Sequence, residues 1–232
     1  MQIAGAKRLI AGSLKAGHGA LSEYDSKRVL AAYGVPVTRE RLVKTAAEAK
    51  DAAARLGYPV VLKGCAHDLL HKTEAGLVAV GLSSSTEVAD VFETLKKRAG
   101  KTFNGAFLVQ EMVKGDRELM IGMIRDAQFG PSVMFGLGGI FTEILEDVSF
   151  RLAPLKSSDA RAVMSEIRGA KILGAVRGMP AVDKATLARA IVGVGNVAAD
   201  NPQIAEIDIN PLIVTDAKPV AVDGLIVLNG QP

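Results

Sequence analysis

Two successive stretches near the start of this chain each spell a helix that ends at a glycine and runs into an apolar, extended segment. That switch between helical and strand-like spacing limits the fold to an α/β (α+β) protein. In "LSEYDSKRVLAAYGVPV", Ser22 stands where an N-cap belongs, Gly34 stops the helix, and Pro36 opens an extended run. In "TAAEAKDAAARLGYPVVLK", Thr45 caps, Gly57 terminates, and residues 58–63 read as a buried strand. The spacing further predicts strands at 77–82 and 106–113 around a helix at 86–99. It then predicts two strands on either side of a turn in "RELMIGMIRD" and "GPSVMFGLGG", and a helix at 183–200. The closing "QIAEIDINPLIVTDAKPVAVDGLIVL" is the clearest hairpin. Lys7, Arg8 and Lys15 precede any acid, as in a transit peptide, and the preferred reading of the first residues is an amphipathic surface helix.

Length and charge narrow the function classes. The 232 residues suffice for one large or two small domains. Lysines and arginines are interspersed with nearly as many acids, giving a net charge of +3, and no basic stripe argues for nucleic acid. No apolar run reaches the ~18 residues of a membrane helix. The single cysteine, Cys65, allows no internal disulfide, which fits a cytoplasmic protein.

Four places carry candidate chemistry. The glycines in "FGLGGIFTEILEDVSF" (Gly136, Gly138, Gly139) remove side chains where backbone N–H groups can turn toward an anion. The spacing is neither a P-loop nor a Rossmann fingerprint, and a tight turn is the plain alternative. In the hairpin, a four-residue turn at 215–218 sets Val214 against Pro219 and, counting back, Asn210 against Asp223. Asp208, two positions earlier, shares their face, while Ile207, Ile209 and Ile226 take the other. Such a set of oxygen donors suits Mg²⁺; a solvated sheet face is the competing reading, since Pro211 and Pro219 can shift the register. Lys63 ends the apolar "YPVVLK" and either reaches water or meets a phosphate. His71, in "HDLLHKTEAG", is one of only three histidines and stands in a polar stretch. A histidine there is either an idle surface group or a nucleophile or base. No serine or cysteine triad and no His/Cys metal spacing is present.

These segments also occur in a recognisable order. "LSEYDSKRVLAAYGVPV", "YPVVLK", "LLHKTEAG", "VQEMVKGDRELMIG", "FGLGGIFTEILEDVSFRLAPL" and "EIDINPLIV" together resemble the ATP-grasp β subunit or domain of ADP-forming acetyl-CoA (acyl-CoA) synthetases, of the succinyl-CoA synthetase superfamily. The resemblance runs over about residues 21–228. It implies an ATP-grasp fold of two lobes with the nucleotide in the cleft between antiparallel sheets. The division implied is a helical extension over 1–21, a lobe over 22–109 bearing the His71 loop, and a lobe over 110–232 bearing the phosphate loop and Mg²⁺ site. It assigns Lys63 to the α- and β-phosphates, Glu111, Met112 and Val113 to the adenine, and Glu118 to the ribose. Gly136, Gly138 and Gly139 fall in the loop over the phosphates. Asn210 and Asp223 match the Mg²⁺ ligands with Asp208 close by, and Arg151 is placed to meet a transferred phosphoryl group.

His71 matches the histidine phosphorylated in passing between ATP or ADP and a phosphohistidine on a CoA-binding α component. The active form is then a hetero-oligomer or a fusion, and this chain does not complete the reaction alone. Two departures fall in this segment: Ala66-His67-Asp68 replaces a Ser-Pro-Asp-like run, and Leu77 replaces a frequent second glycine. A nucleotide-sensing module without turnover and a self-sufficient ATP-grasp carboxylate ligase remain as alternatives.

Overall fold

The strands of the computed structural model sort into two antiparallel sheets, each with its own core. The structure describes residues 1–69, 72–139 and 147–229. Chain contacts divide it into a smaller unit, Ser22–Tyr24 with Thr38–Met112, and a larger one, Met1–Leu21, Asp25–Val37 and Val113–Pro232.

The smaller unit holds β1 (Glu40–Val43), α3 (Ala46–Leu56), β2 (Val60–Cys65), β3 (Val78–Leu82), α4 (Ser85–Ala99) and β4 (Ala106–Glu111), with sheet order β1-β4-β2-β3. β2 lies between two partners and all of its residues are buried, which explains its unbroken apolar run. Thr45 caps α3 as the sequence predicts: its hydroxyl accepts from the Glu48 N–H at 3.2 Å and the Glu48 carboxylate accepts from the Thr45 N–H at 3.3 Å. Ser84 likewise caps α4. The small side chains of Ala49, Ala52 and Ala53 let α3 come close, and Phe92 of α4 meets Phe107 of β4 with ring centroids 4.9 Å apart.

The larger unit begins with α1 (Ile3–Lys15) and most of α2 (Glu23–Ala32). α1 is amphipathic, with Ala6 and Ile10 in the core and Lys7, Arg8 and Lys15 outward. β5 (Arg117–Asp126), β6 (Gly130–Leu137), β7 (Val148–Leu152), β8 (Ile204–Thr215), β9 (Lys218–Ala221) and β10 (Leu225–Leu228) form a six-stranded sheet of order β10-β8-β5-β6-β7, with β9 also on β8. α5 (Ser157–Glu166), a 3₁₀ turn at Ala170–Leu173 and α6 (Lys184–Asp200) supply Val163, Leu173, Leu187, Ile191 and Val194 to one core with Leu119, Ile121, Phe135, Ile207 and Ile226 of the sheet. β7 and α5 are absent from the sequence expectations. The alternation of β7 is inverted: Ser149 and Arg151 share the covered face with Phe135 and Val133, while Phe150 and Leu152 are exposed.

Phe135 is fully buried in the middle of this core. Phe135→Ala is expected to lower unfolding free energy by about 3–5 kcal/mol in urea titrations, through lost burial and the cavity left behind.

Candidate functional site

The register of the larger sheet sorts its side chains between a helix-covered face and an open face. Ile226, Ile207, Met123, Val133 and Arg151 are cross-strand neighbours in one row on the covered face. The adjacent row, Leu225, Asp208, Gly122, Met134 and Phe150, belongs to the open face. Asp208 is therefore presented on the open side, half-buried, beside Gly122 on β5. The hairpin pairs Val214 with Pro219 as the sequence predicts, and Leu212 with Ala221. β10 resumes the same register at Asp208↔Leu225, so Asn210 falls opposite Asp223 across the short break between β9 and β10.

Against β5, β8 carries a bulge: Leu212 pairs with Leu119 but Ile209 with Ile121, so Asn210 and Pro211 together oppose Met120. Bulges of this kind re-aim a side chain locally, and proline, lacking an N–H, is suited to the unpaired position. The segment bearing Asp223 is pinned from α2: Lys27, fully buried, donates from Nζ to the Val222 carbonyl at 3.3 Å, and Ser26 Oγ accepts from the Ile226 N–H at 3.2 Å. Asp223 Oδ1 accepts from the Gly224 N–H at 2.8 Å. Two carboxylates and an amide oxygen suit Mg²⁺, which takes one or two carboxylates and keeps other positions for water or phosphate. Among the described residues no three His, Cys, Asp or Glu side chains converge on a metal position by themselves.

Glu118 lies on the same open face, alternating with buried Arg117 and Leu119. Gly138 donates its N–H to the Glu118 carbonyl at 2.8 Å, and a Cβ there would stand 2.6 Å from the Leu119 carbonyl oxygen. Gly139 has φ +64°, and a Cβ on it would collide with the Glu118 carboxylate. Glycine is thus required at both positions by close approach to β5. A cavity of about 350 Å³ opens here, lined by Gly115, Arg117, Glu118, Gly138, Gly139 and Ile172. Gly136, paired with Met120 and Val148, sits one strand over from the bulge. Residues 140–146, which include the acids Glu143 and Glu146, lie outside the described residues.

In the smaller unit, Lys63 is buried and donates from Nζ to Glu23 Oε1 at 2.8 Å; Lys72 Nζ stands 2.8 Å from Glu23 Oε2. Glu23, at the first turn of α2, reads in the sequence as an ordinary first-turn acid, and nothing in the spacing reveals its burial. His71, immediately before Lys72, lies outside the described residues. Burial pushes the Cys65 thiol up, which disfavours the thiolate. The Glu111 carboxylate is held by Arg39, from Nε at 2.6 Å and from the backbone N–H at 2.8 Å. The Glu111 and Met112 N–H groups donate to the Arg39 and Pro59 carbonyls, and the chain passes from the smaller unit to the larger between Met112 and Val113.

Comparison with known proteins decides the family. A model of the ATP-grasp domain matches residues 12–228. The chain belongs to the ATP-grasp domain family. The β subunit of the ADP-forming acetate–CoA ligase I of Pyrococcus furiosus is 40% identical over 218 residues, covering 92% of this chain and 94% of that one. The ADP-forming 4-hydroxybutyrate–CoA ligase of Nitrosopumilus maritimus is 40% identical over 200 residues, 84% of this chain but 29% of that protein. The chain thus spans nearly all of some relatives and under a third of others. Among solved structures, acetyl-coenzyme A synthetase 1 of Ca. Korarchaeum cryptofilum, with coenzyme A, Ca-AMPCP and HgCl+, superposes at a TM-score of 0.91. The identity is 38%, over 96% of this chain and 99% of that one. The same enzyme with coenzyme A and Mg-AMPPCP, its phosphohistidine segment pointing towards the nucleotide binding site, gives 0.85. Among the described residues of this ATP-grasp chain, no helix is long and apolar enough to cross a membrane.

The ATP-grasp sheet brings Glu118, Gly136, Asp208 and Asn210 to one face, with Asp223 opposite Asn210. It does not bring Arg151 there. Arg151 lies on the covered face, ion-paired to Glu166, whose carboxylate also accepts from Ser149 Oγ at 2.6 Å. The Arg151 bond, with the Ser149 bond behind it, holds the Glu166 carboxyl below its usual range. A carboxyl lowered by folding contributes stability that is present above the ordinary carboxylate range and lost as pH falls through the folded value. Arg151→Met is expected to move the Glu166 midpoint, read by NMR titration, up toward the ordinary value of about 4.3.

Proposed function

We propose that this ATP-grasp domain is the nucleotide-binding component of an ADP-forming acyl-CoA ligase, passing a phosphoryl group between ATP or ADP and a CoA-binding partner through His71. The observation that carries the reading is the open sheet face: Asp208, Asn210, Asp223 and Glu118 line a glycine-flanked surface in a chain that matches nearly the full length of a ligase β subunit. Relatives of which this chain spans under a third support a partner component, whether separate or fused. The complex of the Korarchaeum enzyme with Mg-AMPPCP and a phosphohistidine segment supports both the cofactor and the carrier chemistry.

In this reading Lys63 contacts the α- and β-phosphates and Gly136, Gly138 and Gly139 belong to the phosphate loop. Glu118 serves the ribose, and the backbone at Glu111, Met112 and Val113 serves the adenine; the Arg39 clamp on the Glu111 side chain fits that division of labour. Asn210 and Asp223, with Asp208, would hold Mg²⁺, whose contribution is to neutralise phosphate charge. A ring nitrogen of His71 takes the γ-phosphoryl: the bond from phosphorus to the departing ADP oxygen breaks as the P–N bond forms, and the reverse step returns ATP. Phosphoryl transfer asks the protein mainly for positioning and charge compensation, and the residues above supply both.

The test is labelling with γ-³²P-ATP and Mg²⁺, with and without a CoA-binding partner. Acid-labile, base-stable label is expected on this chain and absent from His71→Ala, which still binds nucleotide. Asp223→Asn is expected to raise the Mg²⁺ concentration for half-maximal labelling by about tenfold or more, ~1.4 kcal/mol of lost binding per decade. Nucleotide binding without label, even with the partner, would replace the carrier reading by a nucleotide-sensing module.

A further inference from the structure

Three charged side chains of the smaller unit meet in a place where charge is expensive. Glu23, Lys63 and Lys72 have side chains only 4%, 6% and 11% exposed, and each ammonium stands 2.8 Å from a different oxygen of the one carboxylate. Burying such groups costs several kcal/mol apiece unless their partners are well placed, and two like charges held on one carboxylate add mutual repulsion.

The backbone enforces this meeting. The Lys72 carbonyl accepts from the Leu77 N–H at 2.9 Å, and the Leu77 carbonyl accepts from the N–H of Gly64, the residue after Lys63, at 2.7 Å. Leu77 is itself buried in the core, and Gly64 approaches it so closely that a Cβ would lie 3.1 Å from the Leu77 Cβ. Gly76, at φ +65°, closes the turn and its carbonyl accepts from Arg98 at 2.6 Å. Lys72 is therefore registered to Lys63 through two hydrogen bonds of main chain.

We propose that Lys63 and Lys72 act together as a two-ammonium receptor for phosphoryl oxygens, and that Glu23 is the internal anion that occupies the receptor and sets its affinity. The two carboxylate oxygens engage the two ammonium groups as two oxygens of a phosphate would. Glu23 keeps the lysines side by side in the absence of ligand, and its charge opposes an arriving polyphosphate. Glu23 is thus a specificity-determining residue that weakens phosphate binding and favours release. The inference rests on the phosphate-contacting role proposed for Lys63, and it adds Lys72 and Glu23 to it.

The test reads charge directly, with the full chain and inorganic tripolyphosphate as titrant in calorimetry. Lys72→Met should weaken binding roughly tenfold or more, the scale of one lost charge-assisted hydrogen bond, and Lys72→Arg should restore it. Glu23→Gln should bind more tightly than wild type by a similar factor. The double variant Glu23→Gln/Lys72→Met, with one charge of each sign removed, should fall between the two single variants. A part that merely held the fold together would weaken binding in all of them. Glu23→Gln binding no tighter than wild type, or Lys72→Met binding unchanged, overturns the proposal. Should Glu23→Gln not fold, the Met and Arg variants at Lys72 decide it. Wild type that takes tripolyphosphate in this order but binds no nucleotide would overturn the proposed function and leave the receptor standing.

Discussion

β8 is hydrogen-bonded along both edges, to β5 on one side and to β9 and β10 on the other, and the larger unit depends on that single strand's register. Because side chains alternate strictly along a strand, a slip of one residue would turn Ile207 and Ile209 out to the open face and drive Asp208 into the core. The apolar set of α6 and the covered side of β5 and β6 forbids this, since buried carboxylates without partners are costly. The same constraint that stabilises the core thus presents Asp208 and Asn210 on the open face. The bulge at Asn210–Pro211 is confined to the β5 edge, leaving the β9 and β10 edge in one register from Glu206 to Thr215, which keeps Asp223 opposite Asn210.

Charge is distributed in this protein by what each site must do. Lys27 is fully buried yet binds a main-chain carbonyl, and so supports the segment bearing Asp223. Arg117 and Arg125 serve similarly: each guanidinium donates to several carbonyls that helices and turns leave over. Arg39, exposed, and Arg151, half-buried, tie down carboxylates. Glu23 with its two lysines is different in kind, since two ammonium groups share one carboxylate.

Much of the fold was legible because local and tertiary signals agree. The Thr45 capping box, the glycine stops, the buried β2 run and the hairpin register each depend on contacts within a few residues or on strict alternation. β7 was not legible for the opposite reason: its polar residues face α5, where Glu166 receives both Ser149 and Arg151, and its apolar residues face out. The expectation for Arg151 fails to be met by geometry on the same account, because a strand's alternation cannot say which face a neighbouring helix will cover. Leu77, one of the two departures the resemblance raises, is absorbed by the fold. It fills the core of the smaller unit, and its main chain makes the bonds to Lys72 and Gly64.

The sequence by itself determined the alternating elements, the opposition of Asn210 and Asp223, the candidate glycine turn and, through six ordered segments, the ATP-grasp family. These are properties of short-range spacing, and spacing survives in one dimension. Only the tertiary structure decided which residues share a face, and that Glu118 joins Asp208 there while Arg151 does not. Only it showed that Lys63 and Lys72 meet on the one carboxylate of Glu23. The physical reason is that burial and charge pairing are set by partners on other elements, 15 positions away for Arg151 and Glu166 and 40 for Lys63 and Glu23, and no local pattern records them.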